Sequence, residues 1–122
     1  MTDSTINTTQ LLNRFGDIEF LEKLWLKAQI ELPLQIEHLS QMIRDPEETN
    51  NEILNERLHK LRGLMANFLT EKHATNLLAE CERLIYPGQK RELVETWEKF
   101  IIALEEESKN LDRWVQNKKS SS

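Results

Sequence analysis

Cys81 is the only cysteine in the chain. An internal disulfide framework is excluded, and a reducing, cytoplasmic setting is the natural expectation. Glycine and proline are also scarce, at three each, so there are few signals for tight hairpins. No strand-like alternation and no internal repeat is visible. No uncharged apolar run approaches ~18 residues, so no membrane-spanning helix is expected. The opening Met1-Thr2-Asp3-Ser4-Thr5 has no basic region followed by an apolar run, and no secretory signal is expected. A net charge of −5 argues against nucleic acid as a partner, which would call for a basic stripe. A membrane partner is not expected either.

What the chain does have is 122 residues, 39% of them hydrophobic and 30% charged. That suits one soluble helical domain with a modest core. Residues 1–8 are polar and read as a flexible N-terminus. A short helix is expected from Thr9 to Phe15, ended by Gly16. Asp17 is a plausible N-cap for the next helix. Its apolar positions Ile18, Leu21, Trp25, Ala28, Leu32, Ile36, Leu39 and Ile43 step by three or four, the helical period. Pro33 interrupts this stripe and predicts a kink, and Asp45-Pro46 predicts a break.

A third helix is expected from about Asn50 to Leu69, with Leu54, Leu58, Leu61, Met65 and Phe68 as its core stripe. Thr70 is a candidate cap for a fourth, which carries Ala74, Leu77, Leu78, Cys81, Leu84 and Ile85. Tyr86-Pro87-Gly88 is a stop. The last helix is expected from about Gln89 to near Asn117, with Trp97, Ile101, Leu104, Ser108, Leu111 and Val115 on one stripe and a length of about 43 Å. Residues 118–122 read as a flexible tail. Four substantial helices with short connections predict an all-α, antiparallel four-helix bundle with a short extra N-terminal helix. The bundle spans residues 9–117.

His59 is the candidate reactive residue. On a helical wheel it lies about 135° from the core centre, facing solvent, with Gly63 and Ala66 within about 40° of it. A mid-helix glycine costs roughly 1 kcal/mol relative to alanine, so Gly63 needs a reason. Access is such a reason: a small residue one turn away lets a large partner reach the imidazole. Arg62 flanks the histidine toward the bundle, and Lys60 lies on the far side. An exposed imidazole is largely neutral and nucleophilic in the cytosol. A phosphoryl group on it would need nearby cations, and Arg62 offers a planar donor fork and Lys60 a point charge. By residue type and exposure alone, a solvated surface histidine is the competing reading.

The other candidates are structural. His38 reads as a boundary residue and His73 as solvated. The three histidines lack metal-ligand spacing, so no metal site is expected. Cys81 reads as a buried small hydrophobe. Trp25 and Trp97 read as packing, and Trp114 as partly exposed near the helix end. Glu105-Glu106-Glu107 reads as a solvated face.

The run His59, Leu61, Arg62, Gly63, Asn67 and Phe68 resembles the H-x-L-K-G-x-x-x-N-L-G motif of histidine-containing phosphotransfer (HPt) domains. Leu11-Leu12-Asn13-Arg14-Phe15-Gly16-Asp17 with Phe20-Leu21, Glu31-Leu32-Pro33, and Leu78-Ala79-Glu80-Cys81-Glu82-Arg83-Leu84 resemble other parts of that family. The similarity covers residues 9–115. Arg62 replaces the usual lysine, Leu64 and Met65 replace smaller residues, and Leu69 stands where a glycine is common. The spacing from His59 to the Cys81 segment is about four residues longer, close to one helical turn. Which fourth-helix side chain meets His59 is left open.

The resemblance implies that His59 accepts a phosphoryl group from the phospho-aspartate of a receiver domain and passes it to another receiver aspartate. Lys60 and Arg62 would tune the phosphate environment, and Gly63 and Ala66 would give partner access. It further implies no kinase activity of the chain's own and no cofactor, with Mg2+ supplied by the partner receiver. The partners would be response-regulator receiver domains and a hybrid histidine kinase, met by a diffusible monomer. Ile6, Leu11, Leu12 and the start of the second helix are candidate docking residues. The rival readings are a non-catalytic adaptor bundle that binds a receiver or other signalling partner, and the dimerising helix pair of a histidine kinase. Lys60 directly after His59 speaks against the second, which typically has an acid there.

Overall fold

The computed structural model describes residues 16–45, 50–68, 72–86 and 89–121, with side chains through residue 118. The short helix expected at 9–15, the docking residues Ile6, Leu11 and Leu12, and the Thr70 cap lie outside the described residues.

Helix α1 spans Ile18–Arg44. Gly16 has φ of 89°, the left-handed region that glycine enters freely, and it turns the chain into the helix. Asp17 caps the helix, its carboxylate accepting from the Phe20 amide at 2.7 Å. The helix continues through Pro33 without ending. Helix α2 spans Asn51–Phe68. Asn50 caps it by accepting from the Glu52 amide at 2.8 Å.

Helix α3 spans His73–Ile85, and α4 spans Lys90–Ser121. The second therefore runs past the expected limit near Asn117, into the segment read as a tail, and is about 48 Å long. The N-terminus of α3 is capped from another helix: Glu107 Oε2 on α4 accepts from the Ala74 amide at 3.0 Å. Glu107 is buried, a correction to its reading as part of a solvated face. A carboxylate at a helix N-terminus satisfies an orphan donor and complements the dipole.

Helix α1 packs on α2 and α4, and α3 packs on the same two helices. The four apolar stripes meet in one core. Every α2 position in the expected stripe is buried. On α1, Ile18 and Ile36 are only partly buried, whereas Leu21, Trp25, Ala28, Leu32, Leu39 and Ile43 are buried. Burying each large apolar side chain contributes about 1.5–3 kcal/mol. Trp114 is 3% exposed rather than partly open, and Phe100, Ala103 and Leu93 join the core beside the expected stripe. The indole N–H groups are satisfied: Trp25 donates to Asp112 at 2.6 Å and Trp97 to Ser40 at 2.8 Å. Contact positions thus descend along α4 as they ascend along α1. The same holds for α1 and α2, where Trp25 meets Phe68 and His38 meets Arg57.

Candidate functional site

Leu58 and Leu61 are fully buried, and this fixes the rotation of α2. His59 is thereby turned outward, its side chain 69% exposed. Its ring leans toward α3. Nδ1 lies 3.3 Å from Glu82 Oε1 and 3.1 Å from Arg62 Nη2. Arg62 in turn holds Glu82, with Nε 2.8 Å from Oε2. The Glu82 side chain is only 14% exposed, and no donor is aligned for a hydrogen bond to its buried Oε2. The Arg62 charge is what compensates that oxygen.

A neutral ring nitrogen either donates or accepts. If Nδ1 carries the proton it donates to Glu82; if it carries the lone pair it accepts from Arg62. A carboxylate on Nδ1–H fixes the tautomer that leaves the lone pair on Nε2. No hydrogen bond among the described residues engages Nε2. With Nδ1–H on Glu82, the Nε2 lone pair is the one left open to a partner.

Glu82 owes its place to the α3 stripe. Ala74, Leu78, Cys81, Leu84 and Ile85 face the core, which puts Glu82 about 90° to one side and Glu80 about 110° to the other. Glu80 is taken by Arg83, whose hydrogen bond lowers the Glu80 pKa, while Glu80 raises that of Arg83. Cys81, between the two acids, is pushed up to about 12, chiefly by burial and then by the Glu80 and Glu82 charges. Its thiol is buried and carries no nucleophilic role.

Gly63 and Ala66 are exposed on the outer ridge of α2. A Cβ built on Gly63 would meet nothing within 4 Å. Packing inside the chain therefore does not require this glycine. Lys60 sits on the opposite flank from Arg62, where its ammonium pairs with Glu56 at 3.1 Å. His59 and Arg62 are brought together with Glu82, and Lys60 joins a different group. That group lines a 240 Å³ pocket between α1 and α2, with His38 and Arg57. His73 is exposed at the start of α3.

Sequence reasoning missed Glu82, Arg57 and His38 as site neighbours. Both Glu80 and Glu82 are edge positions on α3, and the wheel does not say which edge meets α2. No group of His, Cys, Asp and Glu that could hold a metal ion occurs among the described residues. No helix among them is long and apolar enough to cross a membrane. No protein-family model matches the chain, and no curated protein or solved structure is similar enough to count as a match.

Proposed function

We propose that this chain is an HPt-type phosphorelay intermediate of the cytoplasm, an antiparallel four-helix bundle that carries a phosphoryl group on His59. The observation that supports it most is the His59–Glu82–Arg62 cluster beside the bare ridge at Gly63. An exposed imidazole is held at one nitrogen, and the other faces a surface that a partner can approach.

In the transfer step, the Nε2 lone pair attacks the phosphorus of a receiver phospho-aspartate. The Nε2–P bond forms as the P–O bond to the acyl oxygen breaks, and the aspartate leaves as a carboxylate with the electron pair. The ring then carries a positive charge, and Nδ1–H keeps its proton against Glu82 Oε1. Transfer onward reverses these events on a second receiver aspartate. Arg62 lies close enough to redirect its fork to the phosphate oxygens. Gly63 and Ala66 admit the partner, which brings its own Mg2+ and acidic pocket. The chain supplies the nucleophile and the docking face and needs no nucleotide site.

The test mixes purified protein with a phosphorylated receiver domain. The expected product is an acid-labile, base-stable phosphate on the wild type that is absent from His59→Gln. Binding of receiver by both proteins with transfer by neither would favour the adaptor reading instead.

A further inference from the structure

The second cationic group of α2 lies on the flank away from Glu82. Arg57, Lys60 and Leu64 face Gln35, His38 and Leu39 of α1 around the 240 Å³ pocket. Leu39 is buried and Leu64 half-buried, so they form an apolar floor. Arg57 Nη1 donates to His38 Nδ1 at 2.5 Å. A guanidinium has no lone pair to offer, so the imidazole is the acceptor and holds the arginine in place. No carboxylate among the described residues pairs with Arg57. Most of its planar donor fork is thus unspent. Lys60 has Glu56 as partner, but both side chains are exposed. Pairs of that kind contribute at most about 1 kcal/mol and exchange readily. The chain is acidic overall, with net charge −5, yet two cations and no carboxylate line this pocket.

We infer that this pocket seats a carboxylate side chain of the protein that docks over His59, so that Arg57, oriented by His38, and Lys60 select the partner. This rests on the transfer reading of His59. The geometry supports it as follows. His59 and Lys60 are consecutive and so lie about 100° apart around α2. Gly63 lies between them on the ridge and adds no side chain. A standard interface buries about 800 Å² on each partner. Arg57 lies about 160° from His59, in the groove beside α1, so a surface laid across Gly63 covers His59 and Lys60, and a side chain projecting from its rim reaches down to Arg57. Cations at such a position act mainly on encounter and on the choice of partner, and the chemical step is left alone.

The experiment uses the full chain and two phosphodonors. One is a phosphorylated receiver domain, and the other is phosphoramidate, which needs no docking surface. Arg57→Glu should raise the half-saturating receiver concentration about tenfold or more, with little change at saturation, and Lys60→Glu should raise it as well. Raising the salt should narrow the difference between wild type and variants. Labelling of His59 by phosphoramidate, read by peptide mapping, should stay at the wild-type rate in Arg57→Glu. Arg57→Ala should show a smaller loss in the same direction. Receiver transfer by Arg57→Glu equal to wild type would overturn this inference and leave the transfer reading standing. Failure of both donors to label wild-type His59 would remove the transfer reading and this inference with it.

Discussion

Glu82 Oε1 on α3 lies 3.3 Å from His59 Nδ1 on α2. The contact joins two helices at the edge of the core, and a half-buried arginine links its two ends. It orients an exposed histidine through Nδ1, and no hydrogen bond among the described residues engages Nε2.

Glu82→Ala should therefore slow receiver transfer about tenfold, by analogy with the loss when a metal-bound imidazole is deprived of its orienting carboxylate. The fold should lose little. Arg62 is 36% exposed and can turn to water, so the loss in urea unfolding should stay within about 1 kcal/mol. A variant that unfolds early and transfers normally would contradict the assignment.

Gly63 separates stability from docking. Because a Cβ there meets open space, Gly63→Ala should stabilise the chain by about 0.5–1 kcal/mol in chemical denaturation. Gly63→Phe should keep the fold and labelling of His59 by phosphoramidate, yet lose most receiver transfer. Receiver transfer unaffected by phenylalanine would show that nothing docks on the ridge.

Glu107→Ala should cost about 1–2 kcal/mol in thermal or urea unfolding, because it removes the buried cap from the Ala74 amide. Below its melting temperature the variant should label at His59 as the wild type does, since the cap belongs to α4 and the N-terminal end of α3.

Cys81 predicts a pH effect with a defined sign. The unfolded thiol loses its proton near 9.0, whereas in the fold burial pushes it up to about 12. The folded state favours the neutral thiol, so this contribution is present below about 9 and is lost as pH rises toward 12. Stability of the wild type should fall with pH over that window more steeply than that of Cys81→Ala. Thiol reagents at pH 8 should modify Cys81 only after unfolding.

Much of this was legible in the sequence because helical period is set by burial. Leu54, Leu58, Leu61, Met65 and Phe68 step regularly, and the rotation that buries them turns His59 outward. What the period does not hold is which neighbour each face meets. On α4 the stripe through Trp97, Leu104, Leu111 and Val115 was visible, but Phe100, Ala103, Glu107 and Trp114 form a second stripe about 80° around the helix. Helix α4 packs on two neighbours, α1 and α3, and so needs two faces. Glu107 contacts Ala74 of α3 from the second stripe, a tertiary role that a run of three glutamates does not display. Glu82 was hidden for the same reason: its partner lies 23 residues away on another helix.

The most direct test is phosphorus NMR of the chain after incubation with a phosphorylated receiver domain. The account predicts a phosphohistidine signal from the Nε2 position of His59, absent from His59→Gln. A wild-type chain that acquires no such signal from any receiver or from phosphoramidate, or a signal that persists in His59→Gln, would contradict it.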